Sequence, residues 1–238
     1  MQPDVATLKA FYDRPLGQVV RRLLSHRVRA RWRRLDGQTL IGLGFATPYL
    51  SAFRGETLRI GALMPTSQGA LVWPPTGSTH SVLVEEEQLP LPDSSVDRLI
   101  AVHCLEASER ARPLLREIWR VLTPEGRLLI IVPNRRSMWA RLESTPFGHG
   151  RPYSSSQLEV LLREALFTPI DWGTALHVPP IERRMILRSA TAFERVGARV
   201  SPAFAGVFIV EAKKELMAPI GAGAAIRQLG RLVTVERP

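Results

Sequence analysis

One stretch, from Glu85 to Asn134, sets narrow limits on what this chain can fold into. It reads EEEQLPLPDSSVDRLIAVHCLEASERARPLLREIWRVLTPEGRLLIIVPN. An acidic loop comes first, then a run at Val96–Val102 suited to a buried strand, then a helix. A turn at Thr123-Pro124-Glu125-Gly126 and a second apolar strand over residues 127–132 complete the pattern. Two Leu/Ile/Val runs joined by an amphipathic helix describe a βαβ unit, because parallel strands need a crossover connection and are apolar on both faces.

A chain of 238 residues suits one α/β domain with some decoration. No apolar run approaches the roughly 20 residues that span a bilayer, and the first residues lack the basic and apolar regions of a signal peptide. The expectation is a soluble cytoplasmic protein. Cys104 is the only cysteine, which excludes an intramolecular disulfide and a cysteine-based metal site; it reads as a buried, inert thiol. With 32 Lys+Arg against 22 Asp+Glu the net charge is +10, and Arg21, Arg22, Arg27, Arg29, Arg31, Arg33 and Arg34 crowd one N-terminal segment. Arginine's planar fork suits phosphate and carboxylate. Weak contact of nucleic acid or an acidic protein with the segment from Arg27 to Arg34 therefore stands beside a solvated helix face as an expectation. Trp32 is the only aromatic there, so no stacking platform for single-stranded RNA is visible.

Helical periodicity predicts one or two helices over residues 7–35. Strands are expected at 38–43, 58–63, 82–84, 170–176 and 206–212, with a helix starting near Pro48. Helices are expected at 135–143, 157–166 (after a Ser cap) and 181–196. Residues 1–212 form the domain, of which 1–35 are an N-terminal helical cap; residues 213–238 read as a tail, partly helical near 224–232.

Leu89-Pro90-Leu91-Pro92-Asp93-Ser94-Ser95-Val96-Asp97 and Arg120-Val121-Leu122-Thr123-Pro124-Glu125-Gly126-Arg127-Leu128-Leu129 closely resemble the "LPFPDxSFD" and "RVLxPGGRLL" stretches of class I S-adenosylmethionine-dependent methyltransferases, small-molecule (type 11) kind. The resemblance implies a doubly wound, mostly parallel seven-stranded α/β sheet with N-terminal helices and a helical insertion near residues 177–200, closed by residues 206–212 as an antiparallel edge strand. It places S-adenosylmethionine at the carboxyl ends of the strands, with the segment from Phe11 to Gly17 covering it. It implies cofactor contacts from the loop after the first strand, Gly42, Gly44, Phe45 and Ala46. Only Gly44 of the three motif glycines is kept; Ala46 and Pro48 take the other two places, and Gly42 replaces an acid. Met64 stands where the family carries the acid that binds the ribose, and Gln68 is a polar substitute nearby. Glu85 and Glu86 fall at the adenine site. His103, at the end of the fourth strand, lies on the cofactor side and, with Glu106, is a candidate general base. His149, in a loop with Trp139 and Tyr153 near it, is a candidate on the acceptor side.

The expected activity is methyl transfer to a small or medium acceptor, mainly by positioning, with no metal required. Two alternatives stay open: a methyltransferase-like protein with weakened cofactor binding that serves as a binding or scaffolding subunit, and an RNA-associated methyltransferase. The acceptor and the oligomeric state are not legible.

Overall fold

The computed structural model describes residues 3–200 and 202–216. Seven strands, β1 (Thr39–Gly44), β2 (Arg59–Pro65), β3 (Ser81–Val84), β4 (Val96–Val102), β5 (Leu122–Pro133), β6 (Phe167–Ala175) and β7 (Val207–Lys214), form one sheet in the order β3-β2-β1-β4-β5-β7-β6. The first five run parallel, and β7 is antiparallel to both neighbours. The sequence order turns back between β1 and β4, so the crevice for a ligand opens at the carboxyl ends of those two strands.

Period-2 alternation sends successive side chains of each strand to opposite faces. On β5, Leu129 and Ile131 join one core, with α1 (Val5–Asp13) and α2 (Pro15–Arg31); Leu128, Ile130 and Val132 join the other, with α4 (Ala111–Val121) and α5 (Ser155–Glu164). Asp4 caps α1 by accepting from the Thr7 N–H at 2.7 Å, and Pro15 opens α2, where its missing N–H is harmless. A capping box between Ser154 and Gln157 starts α5. Among the described residues no helix is long and apolar enough to cross a membrane.

Four expectations need correction. The Thr123–Gly126 turn lies inside β5: Val96 pairs with Leu122 and Arg98 with Arg127, so four residues bulge opposite Asp97. Residues 135–143 are not a helix beyond the 3₁₀ turn Trp139–Arg141; the Asn134 side chain accepts from the Arg136 N–H and donates to Ala203 and Ala205 carbonyls, which holds a turn there. The helix expected at 181–196 is two, α6 (Arg184–Arg188) and α7 (Ala190–Val200), divided at Ser189. The last strand is not an edge: β7 lies between β5 and β6, and β6 is the edge. It also continues to Lys214, two residues past the expected domain end; the expected tail lies outside the described residues from 217 on.

Two glycines shape the turn after β1. A Cβ on Gly42 would sit 2.7 Å from Leu50 Cδ1, so the residue that replaces an acid makes room for the one-turn helix α3 (Thr47–Leu50). Gly44 has φ +75° and lies against β4, where a Cβ would meet the Val102 carbonyl at 2.4 Å.

Candidate functional site

The carboxyl ends of β2, β3 and β4 border an open cleft of about 1260 Å³. Thr66 and Ser67 follow β2, Glu85 and Glu86 follow β3, and Ser108 lies beyond β4. Thr66 Oγ1 donates to Glu85 Oε1 at 3.0 Å, and Ser67 Oγ reaches Glu86 Oε1 at 3.4 Å. Two hydroxyls thus stand at the end of a strand that carries no acid.

The loop before β4 is fixed by Arg120. Its guanidinium donates to the Leu89 and Leu91 carbonyls, each at 2.9 Å, and to Asp93 Oδ1 at 2.6 Å, while Glu117 bonds it from one helical turn back. Glu117 also accepts from the Leu89 N–H at 2.9 Å. The arginine beside it holds the Glu117 carboxyl below its usual range. The Leu-Pro-Leu-Pro-Asp motif is therefore anchored by the Arg120 of the second motif.

Deeper, just past β4, His103 is buried with φ +50°, a strained conformation for a histidine. Its Nε2 bonds Tyr12 Oη at 2.9 Å, and that phenol bonds Tyr49 Oη at 2.9 Å. Gln68 Nε2 donates to the His103 carbonyl. Tyr12 stacks on Phe45 at 5.3 Å, and Phe147 lies 4.8 Å from the imidazole. Burial, with Tyr49 and Glu106 nearby, pushes the Tyr12 phenol well up, and burial raises Tyr49 too, so both remain neutral donors at ordinary pH.

Glu106 is only 4% exposed. Its Oε1 lies 3.3 Å from His103 Nδ1 without hydrogen-bond alignment, and among the described residues neither carboxylate oxygen has a hydrogen-bond partner. Its backbone is clamped by the loop that follows β5: the Arg151 N–H donates to the Glu106 carbonyl at 2.8 Å, and Gly150, at φ +74°, passes so close that a Cβ would lie 2.3 Å from that oxygen. A gap of about 10 Å³ remains between Gln68, His103, Glu106, His149 and Gly150, barely the room of one water.

The structure brings together three of the expected residues, His103, Glu106 and His149, around this gap, and sets Glu85 and Glu86 on the cleft. It places others in packing instead. Gly42 faces Leu50, Ala46 and Phe45 are buried in the core beneath α1, and Met64 is buried with its Sδ accepting from the Leu71 N–H at 3.3 Å. Trp139 is buried too, its Nε1 donating to the Val178 carbonyl. Tyr153 donates to the Leu105 carbonyl, and burial pushes its phenol up to about 12. Sequence reasoning missed Tyr12 and Tyr49; the one signal was Tyr12's place in the segment expected to cover the cofactor.

A seven-stranded sheet in this order, with a ligand crevice at the ends of β1 and β4, defines the class I S-adenosylmethionine-dependent methyltransferase fold. The comparisons agree: residues 67–130 match the family model described as a methyltransferase domain. The chain is 29% identical over 130 residues to the ubiquinone/menaquinone biosynthesis C-methyltransferase UbiE of Rubrivivax gelatinosus, over 50% of this chain and 52% of the relative. It thus spans about half the length of the curated relative it matches. Among solved structures, a SAM-dependent methyltransferase from Thermotoga maritima aligns with TM-score 0.58 and 16% identity, over 89% of this chain and 95% of the other. The 1,6-didemethyltoxoflavin-N1-methyltransferase of Burkholderia thailandensis, solved with its substrate and S-adenosylhomocysteine, aligns with TM-score 0.52 and 18% identity, over 84% and 78%. At such identities these structures establish the fold alone.

Proposed function

We propose that this chain is an S-adenosylmethionine-dependent methyltransferase acting on a small or medium acceptor. One observation carries the reading beyond the fold: the buried Glu106 carboxyl group has no hydrogen-bond donor among the described residues, and a buried polar group without one is costly. A cationic group would satisfy it, and S-adenosylmethionine carries a sulfonium and an ammonium. Glu85 and Glu86 would hold the adenine end, the Thr66 and Ser67 hydroxyls would meet the ribose, and Glu106 would face the cationic end. When bound, the cofactor supplies an electrophilic methyl group.

The chain's own groups then exclude water and manage a proton. Tyr12, Phe45 and Phe147 wall off the His103 side from solvent. His103 Nε2 accepts the acceptor's proton directly or through the Tyr12 phenol, and Glu106 stabilises the resulting imidazolium across 3.3 Å. The relative's printed name is a C-methyltransferase; a carbon or phenolic acceptor, which must lose a proton, suits a buried histidine. The side chains around the 10 Å³ gap must part to admit the cofactor's methionyl end.

Calorimetric titration with S-adenosylmethionine and S-adenosylhomocysteine tests this. Modest affinity is expected, since a missing charged hydrogen bond to the ribose costs about 1.5–3 kcal/mol. Glu106→Gln should weaken S-adenosylmethionine about tenfold or more, and S-adenosylhomocysteine, which lacks the sulfonium charge, less. No binding at millimolar cofactor overturns the proposal. A second reading, nucleoside binding without transfer, is favoured by Tyr12 and Gln68 filling the space beside His103; it requires adenosine to bind as tightly as the full cofactor.

A further inference from the structure

A second groove, of about 1100 Å³, lies away from the cleft between α2, α3 and α6. Its lining combines Pro15, Val19, Pro48 and Leu187 with four arginines, Arg21 and Arg22 from α2 and Arg184 and Arg188 at the ends of α6. The four are exposed. No carboxylate among the described residues lies within 4 Å of any of them, whereas several other arginines of α2 and its flanks are paired. Arg14 meets Glu182 at the groove's edge, Arg29 grips Glu56, and Arg31 meets Asp171 at 2.6 Å. Four like charges gathered on one concave surface repel one another unless an anion enters. The one carboxylate in the lining, Glu182, is taken by Arg14, and the rest mixes the apolar side chains with Gln18, Ser25 and Ser51.

We propose that this groove binds a free amphiphilic anion, an apolar chain bearing a phosphate or carboxylate head. The head is held by the guanidiniums of Arg21, Arg22, Arg184 and Arg188, which fork onto anionic oxygens; the chain lies over Val19 and Leu187. The site is independent of methyl transfer and goes beyond that reading. It backs on to the deeper one through α3, whose Tyr49 phenol feels the positive charge of Arg21.

The test is calorimetric titration of the full chain with dodecyl phosphate below its micelle concentration, with dodecanol and with inorganic phosphate. Dodecyl phosphate should bind at least tenfold more tightly than either. The Arg22→Glu/Arg188→Glu variant should lose at least tenfold of that affinity, with its melting temperature and S-adenosylmethionine titration unchanged. Equal binding of dodecanol or inorganic phosphate, undiminished affinity in the variant, or binding to phosphatidylglycerol vesicles but not to the monomeric amphiphile overturns the proposal. Should the double variant fail to fold, Arg188→Gln and the native chain at raised salt decide: affinity that neither change weakens overturns it.

Discussion

His103 is where backbone strain and side-chain chemistry meet. Its φ of +50° is held from four sides, by Gln68 on its carbonyl, Tyr12 on Nε2, Glu106 beside Nδ1 and Phe147 against the ring. Asn tolerates a left-handed backbone better than most residues, so His103→Asn should melt closer to the native protein than His103→Ala while sharing its loss of turnover. General-base loss would lower the rate about 10²–10⁴-fold. His149, whose Nε2 reaches the Glu143 carbonyl at 2.8 Å, holds fewer groups, and His149→Ala should lower turnover with a stability change within about 0.5 kcal/mol. Full activity in the His103 variants, measured with any acceptor that supports turnover, would make the histidine structural. His103 and Glu106 were legible because both directly follow a strong strand signal. Tyr12 and Tyr49 were not: they arrive from other elements, and only the packed sheet edge brings their phenols together.

At the scale of elements, the Leu89–Asp93 loop and α4 behave as one unit through Arg120. Glu117 is the titrating part of that unit. Its folded pKa lies below its usual 4.5, so the stability it contributes is complete above about pH 4.5 and is lost as pH falls through the folded value. Glu117→Gln should therefore be less stable than the native chain in urea at pH 6, with the gap narrowing as pH falls below about 4.5; a gap that does not narrow in acid contradicts this. Arg120→Ala removes more, leaving the Leu89 and Leu91 carbonyls and Glu117 short of a donor, and should cost about 2–4 kcal/mol. Both motifs were visible in the sequence, but their coupling through one side chain was not. The broken helix over 181–196 escaped notice because its apolar spacing continues across Ser189, where the backbone turns to bond Met185 and Ile186.

For the molecule as a whole, the parallel half of the sheet was readable because buried parallel strands are continuous apolar runs. The place of β7 was not readable, since its alternation fits an edge as well as an interior position. The excess of positive charge also divides in a way composition conceals: Arg27, Arg29, Arg31 and Arg34 are engaged by Glu194, Glu56, Asp171 and Asp36, which leaves the expected nucleic-acid segment with little free charge. Replacing Arg29 and Arg31 by Gln should therefore lower the melting temperature more than it alters any affinity for RNA, and the reverse outcome would restore the nucleic-acid alternative.

The position of β7 has a consequence for how the chain is made. Among the described residues, strand β6 pairs only with β7 and reaches the rest of the sheet only through it. During synthesis β6 leaves the ribosome first and waits, with its edge unsatisfied, for a few seconds at about 5–20 residues per second. Strand β5 waits longer with one side bare. A chain stopped before Val207 should therefore aggregate, although it retains the whole cleft and every residue around the buried histidine; solubility of such a truncation during cell-free translation would show whether the last strand closes the sheet.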